Sequence, residues 1–171
     1  KEVGAYIFAS NRNMIERSID CLPLSGVKQL LEIGFGNGAH LPYLFAKAPH
    51  LHYIGIERSE AMIADATALN TELVEQGKAV FLHALTEELP PLPYESFGVC
   101  FCVNTYYFIT NLRAYFVQVY SLLRQGGSFV LGAIGKEFGE RMPFTKEVFT
   151  FYTPEQLQEL LLSVGFTAFD L

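Results

Sequence analysis

One stretch constrains this chain more than any other: Leu31-Glu32-Ile33-Gly34-Phe35-Gly36-Asn37-Gly38-Ala39. A short apolar run over residues 29–33 drives straight into three alternate glycines, and a helical apolar pattern resumes around residues 40–47. Glycines at such a bend let the backbone turn sharply and let a ligand lie against main-chain N–H groups at the start of the next helix. The fragment therefore predicts a buried parallel strand, a cradle for a nucleotide-type ligand, and a helix leading away from it.

The rest of the chain repeats that alternation. Asn11 can cap a helix with Met14, Ile15, Ser18, Ile19 and Leu22 on one face, stopped by Pro23. After the glycine loop come a strand over 51–57 and a helix capped by Ser59, with Met62, Ile63, Ala66, Leu69 and Leu73 inward and Gly77 closing it. A third strand is expected over 78–84, a Pro-rich loop over 87–96, and a fourth strand over 97–103. Asn111 caps the next helix, in which Leu112, Tyr115, Phe116, Val119, Leu122 and Leu123 recur at three and four and Gly126-Gly127 end the pattern. A fifth strand follows over 128–134. Residues 135–150 have no sustained period, and Thr153-Pro154-Glu155-Gln156 is a strong helix start ahead of Leu157, Leu160, Leu161 and Val164.

Strands alternating with helices predict an α/β fold: a Rossmann-like, doubly wound, mostly parallel sheet with helices on both faces. At 171 residues the chain reads as a single domain over 1–171, with a cap helix within 1–25 and an insertion over 135–152. Ligands on such sheets bind beyond the carboxyl ends of the strands at the switch point.

Charge narrows the partners. There are 12 Lys+Arg against 18 Asp+Glu, a net charge of −6, and the basic residues are scattered singly. Nucleic acid and anionic membrane surfaces need a basic patch to displace counterions, so neither is the expected partner. The longest apolar runs fall far short of the roughly 20 residues that cross a bilayer, which leaves a soluble, cytoplasmic protein as the expectation. The three cysteines, Cys21, Cys100 and Cys102, show no zinc-type spacing and read as small core residues. His50-x-His52 lacks a third ligand, so no metal is expected.

Glu57 ends the second strand 19 residues after Gly38, where a carboxylate can accept both hydroxyls of a ribose. Loop and carboxylate together indicate an adenosine ligand. Gly34-x-Gly36-x-x-Ala39 alone also fits a dinucleotide fingerprint. Against a nicotinamide cofactor stand Glu32, two residues before the first glycine, whose carboxylate can help hold a ligand amino group, and the want of a second domain to carry a hydride acceptor.

These residues resemble a class I S-adenosylmethionine-dependent methyltransferase, close to the small-molecule group that includes quinone-biosynthesis methyltransferases. The carriers are Glu32-Ile33-Gly34-Phe35-Gly36-Asn37-Gly38, Ile56-Glu57, Glu88-Leu89-Pro90, Leu122-Leu123-Arg124-Gln125-Gly126-Gly127-Ser128, Phe151-Tyr152-Thr153-Pro154-Glu155 and Val164-Gly165-Phe166, in that order. The resemblance implies S-adenosylmethionine as cofactor, with S-adenosylhomocysteine as product. It places Gly34, Phe35, Gly36 and Gly38 along the methionine end, Glu57 on the ribose, Arg58 and Met62 beside the adenine, and Asn104 on the cofactor. Leu85 and Thr86 occupy the position where the family often has an aspartate on the adenine amino group, and Gly98 replaces the aspartate of its Phe-Asp pair. The family's closing hairpin is about one strand short here.

Methyl transfer is an in-line displacement, so positioning and water exclusion carry much of it. If the acceptor needs a base, His40, Tyr106 and Tyr107 are the candidates, although the tyrosines read as readily as pocket wall. Asn104-Thr105-Tyr106-Tyr107 lies where amino-methylating enzymes place Asn-Pro-Pro-Tyr, but both prolines are absent. Phe138, Phe144, Phe149 and Phe151 in the insertion can cover a flat or apolar small-molecule acceptor, with Tyr6 and Phe8 closing the other side. A catalytically silent methyltransferase-like module and a nicotinamide-binding protein are the alternatives.

Overall fold

The structure is a computed structural model and describes residues 2–85, 88–142 and 149–170. Five strands form one sheet: β1 (Gln29–Ile33), β2 (His52–Glu57), β3 (Ala79–His83), β4 (Phe97–Val103) and β5 (Leu123–Gly132). Their order is β3-β2-β1-β4-β5, with every pairing parallel. Each crossover carries helix or loop, which is what joins parallel neighbours. The chain winds outward from β1 to β3 and then returns to the other side of β1, so the switch point lies between β1 and β4, where the glycine loop leaves the sheet. The expected doubly wound architecture is therefore the observed one.

Alternation along the central strands explains the two-sided core. Leu31 and Ile33 of β1 and Cys100 and Cys102 of β4 join a cluster with α5 (Leu112–Leu122), while Leu30, Val99 and Phe101 join the opposite cluster with α1 (Glu2–Asp20), α2 (Leu41–Lys47) and Ala66 of α3 (Glu60–Leu69). An irregularity between Phe97 and Val99 shifts the parity, so that Phe97 faces the first cluster too.

Several expectations need correction. α1 begins at Glu2 and not at Asn11, which lies mid-helix and donates its side-chain amide to the Ile7 carbonyl at 2.9 Å. The helix capped by Ser59 stops at Leu69, which is exposed, and α4 (Thr71–Glu75) restarts after Asn70. The break has a cause: the buried Asn70 amide donates to Ala66 O at 2.9 Å and to Gly38 O at 3.1 Å, tying the helix junction to the glycine loop. β5 starts at Leu123 and absorbs Gly126-Gly127, which do not cap α5. A short helix, α6 (Lys136–Gly139), occupies part of the insertion read as irregular. α7 (Pro154–Leu162) is only half-buried at Leu157, Leu160 and Leu161, and its start carries the expected capping box. Cys100 and Cys102 are buried, but Cys21 is exposed. Among the described residues no helix is long and apolar enough to cross a membrane, and no cluster of His, Cys, Asp and Glu could hold a metal ion.

Candidate functional site

The loop from Gly34 to Ala39 closes over the end of β1 with three glycines at positive φ, Gly34, Gly36 and Gly38. Gly34 has φ +78° and donates its N–H to Ile56 O at 2.7 Å; a β-carbon there would sit 2.5 Å from Thr105 Oγ1. The close approach of the loop to the residue after β4 therefore requires glycine. Gly36 has φ +63°, and a β-carbon there would meet nothing within 4 Å. The side of Gly36 that a β-carbon would occupy is therefore open space.

Glu57, at the end of β2, is buried and spans the cradle. One carboxylate oxygen accepts the Gly36 N–H at 3.1 Å and the other the Ser59 N–H at 3.0 Å, while Ser59 in turn caps α3. A carboxylate has about four acceptor sites, so two N–H donors leave capacity for two hydroxyls. The loop, the strand end and the next helix are thus pinned by a group that can still receive a ribose.

Beneath the loop lies a buried polar cluster. Glu32 is 2% exposed, and its Oε2 accepts the Tyr53 hydroxyl at 2.6 Å and meets His40 Nε2 at 2.7 Å. Burial, followed by the neighbouring Glu32 charge, pushes the Tyr53 phenol well above its ordinary range, so it serves as a fixed donor. His40, the candidate base at the helix start, is 2% exposed, with no partner on Nδ1 among the described residues. Glu32 can therefore offer a ligand only the acceptor capacity that Tyr53 and His40 leave.

The far wall comes from the segment after β4. Asn104 has φ +54°, donates its amide to Asn11 Oδ1 at 2.8 Å and accepts the Tyr107 hydroxyl at 3.0 Å. The first of these contacts ties α1 across the switch point. Near the helix start, a β-carbon on Gly4 would lie 3.1 Å from both Asn37 Cβ and Met62 Sδ, so α1 crosses over the loop and α3. α1 thus packs on the loop and α3 at its start, and Tyr6 is exposed at 75%.

Other expected residues sort themselves plainly. Phe35 turns its ring into the core, 4.9 Å from Phe81 and against Gly55, so only its main chain belongs to the loop. Arg58 is exposed, Met62 half-buried and Leu85 exposed, while Thr86 lies outside the described residues. Tyr106 and Tyr107 are both buried, and burial raises both phenols. Tyr107 stacks on Phe149 at 5.6 Å and packs on Phe151 at 4.8 Å. That setting keeps both phenols protonated in the folded chain near neutral pH. Phe138 is exposed, and Phe144 falls outside the described residues. Gly98 lies at the opposite end of the sheet, where a β-carbon would touch Val27 at 3.1 Å and Arg124 Nε at 3.3 Å; its departure from the family pattern is structural.

Sequence reasoning missed Tyr53, Asn70 and Thr105. Asn70-Thr71 within an otherwise apolar helical pattern was the available signal for the second; the other two carry none, because their roles follow from strand pairing.

Comparison with known proteins agrees with this geometry. Residues 31–131 match the family described as a methyltransferase domain. YdaC of Bacillus subtilis (strain 168), an uncharacterised methyltransferase, is 28% identical over 126 residues, covering 73% of this chain and 67% of that protein. A Haloferax volcanii complex of the Trm112 methyltransferase activator with a candidate methyltransferase superposes with TM-score 0.80 at 15% identity, over 96% of this chain and 73% of that one. An S-adenosylmethionine-dependent methyltransferase from Mesorhizobium loti gives 0.70 at 18% identity, over 88% and 78%. The structural likenesses carry the fold, and the family match spans more than half the chain around the glycine loop. With that match over residues 31–131, the chain belongs to the class I S-adenosylmethionine-dependent methyltransferases.

Proposed function

We propose that this methyltransferase binds S-adenosylmethionine in the cradle between the glycine loop and Glu57 and methylates a small-molecule acceptor. The observation that carries the reading is the Glu57 carboxylate, held by Gly36 N–H and Ser59 N–H at the switch point beside the open space before Gly36. The residues present fit such a cofactor in two respects: Glu57 keeps free acceptor capacity for a ribose, and the space a β-carbon of Gly36 would enter is open.

When bound, the cofactor supplies a methyl on a sulfonium, already activated for displacement. What the chain does is bind and orient. Glu57 would take the ribose hydroxyls, the amides from Gly36 onward would line the adjoining part, and Glu32 would hold the amino-acid end. Met62 and Arg58 would lie beside the adenine. Asn104 and the aromatic group of Tyr106, Tyr107, Phe149, Phe151 and Tyr152 would form an acceptor wall that excludes water, since these rings pack on one another at 4.3 to 6.1 Å. We take the chain as a single unit over 1–171, with 135–152 contributing that wall. The net charge of −6 and scattered basic residues favour a small acceptor over nucleic acid.

A second reading, a module that keeps the fold without turnover, is favoured by Leu85, an exposed apolar residue where the family pattern often has an adenine-binding aspartate. Calorimetric titration with S-adenosylmethionine, S-adenosylhomocysteine and NAD, on wild type and Glu57→Ala, decides. Micromolar binding of the first two, lost in Glu57→Ala and absent for NAD, is expected. No binding to the wild type overturns the cofactor assignment, and binding without turnover on any acceptor supports the second reading.

A further inference from the structure

The end of the sheet opposite the cradle carries a hollow of its own. β4 runs from Phe97 to Val103, so its two ends lie about 20 Å apart. The ladder slips at the amino end. β1 pairs with β4 only from Leu30 opposite Val99, and β5 passes from Leu123, opposite Phe97, to Ser128, opposite Val99. Residues 124–127 of β5 are thereby looped out, with Gly126 at φ +73°, and Gly98 has no register partner on either neighbour.

This loop throws Arg124 across the gap. A β-carbon on Gly98 would lie 3.3 Å from Arg124 Nε, so the side chain passes over bare main chain. The outcome is a cavity of about 320 Å³ lined by Gly26, Lys28, Gln29, Ser96, Gly98 and Arg124. Two cations that stand singly in the sequence thus share one wall. No carboxylate lines it, and Glu95, next to Ser96 in the chain, is exposed outside it.

The charges in this wall are uncompensated. Arg12, Lys47 and Lys136 each pair with a carboxylate, whereas among the described residues neither Lys28 nor Arg124 has a side-chain partner. Gln29 is likewise without a side-chain partner among them, and Ser96 spends its hydroxyl hydrogen on Pro93 O at 2.8 Å. The cavity therefore presents a guanidinium fork, an ammonium and an amide, all able to donate, and no fixed negative charge. Two like charges on one wall repel each other, and an anion between them removes that cost.

The donor set selects among anions. A guanidinium takes two oxygens of one group side by side, and an ammonium adds a point charge for a third. A carboxylate has two oxygens and one charge; a phosphate group offers three oxygens and about two charges near neutral pH. We propose that this cavity binds a phosphoryl group, with Arg124 and Lys28 on its oxygens and Gln29 donating beside them. The group arrives as free phosphate or on a small phosphorylated molecule, whose remainder a volume of about 320 Å³ can take in. The site is independent of the cofactor reading above.

Amide NMR of the nitrogen-15-labelled chain tests this, with inorganic phosphate, glycerol 3-phosphate and acetate as probes and ionic strength held constant with sodium chloride. Both phosphates should shift the Gly26 and Gly98 amides saturably and leave Gly34 and Gly36 in place, with acetate weaker by about tenfold or more. Tighter binding of glycerol 3-phosphate than of phosphate identifies a phosphorylated molecule as the occupant; weaker binding identifies the free ion. Arg124→Gln, in the looped-out exposed segment, should weaken both by about tenfold or more. Gly98→Asp should abolish binding by setting a carboxylate against the Arg124 side chain; should it fail to fold, Arg124→Gln decides alone. No saturable shift with either phosphate overturns the proposal, as do shifts confined to Gly34 and Gly36, acetate binding as tightly as phosphate, or Arg124→Gln binding like wild type.

Discussion

Gly34→Ala tests the closeness of the cradle to the segment after β4. The substitution puts an L-residue at φ +78°, which costs about 1–2 kcal/mol. It also drives a β-carbon to 2.5 Å from Thr105 Oγ1 and 3.0 Å from its Cγ2. Thr105 must rotate away, giving up its hydrogen bond to Ile33 O at 3.3 Å or Val103 O at 3.1 Å. A net hydrogen bond adds about 1 kcal/mol, for a total of about 2–3 kcal/mol. In a chain of this size each kcal/mol moves Tm by about 2–4 °C, so a fall of about 4–12 °C is expected. Gly36→Ala is the control: it has the same left-handed backbone at φ +63° with open space around the new atom, so only the backbone cost applies. In a Thr105→Ala background the Gly34→Ala penalty should shrink by about 1 kcal/mol, measured by urea unfolding as a double-mutant cycle. If Gly34→Ala costs no more than Gly36→Ala, the argument for close packing at the switch point is wrong.

Thr153→Ala removes one half of the capping box, in which Thr153 Oγ1 accepts Gln156 N–H at 3.3 Å, and should lower stability by about 1 kcal/mol in urea unfolding. A thiol reagent near neutral pH should label Cys21 alone in the folded chain, since burial pushes Cys102 up to about 12 and raises Cys100 as well; mass spectrometry showing early modification of either buried thiol would count against the core described here. Alkaline pH should destabilise the fold. Cys100, Cys102, Tyr53, Tyr106, Tyr107 and Tyr115 all have raised native values, so above the ordinary thiol and phenol values of about 8.5 and 10 the unfolded chain binds fewer protons than the native one. Stability is full below those values and falls by about 1.4 kcal/mol per pH unit for each group once its unfolded form ionises; a flat unfolding profile between about pH 8 and 10.5 refutes this.

The sheet was legible because its signals are local. Runs such as Phe97 to Val103 between turn residues mark buried strands, and glycines after Ile33 mark the bend. Glu57 was legible for the same reason, being a carboxylate at a strand end a fixed distance from the loop. Contacts that depend on pairing were not. Tyr53 reaches Glu32 because β1 and β2 lie side by side with Leu30 opposite Tyr53, and nothing in either segment alone reports that. Asn70 looked like one more helical position, yet its amide finds the Gly38 carbonyl and breaks the helix. Asn11 looked like a cap because its chemistry suits one, but the helix had already started and the side chain serves Asn104 instead. Residue chemistry announces what a side chain can do; the partner it finds depends on tertiary proximity.

The position of β1 at the switch point also sets an order of events in folding. Leu31 pairs with Ile54, 23 residues along the chain, and with Cys100, 69 residues along. The first pairing closes a short crossover, while the second waits on three times as much chain and carries a loop-closure cost larger by about 1 kcal/mol. A nascent chain can thus assemble β1, β2 and β3 with Glu57 against Gly36, and still lack the Thr105 side of the cradle. The ligand-binding half-site matures last, and any ligand that needs both sides acts as a late clasp, favouring the finished sheet over its three-stranded precursor by mass action.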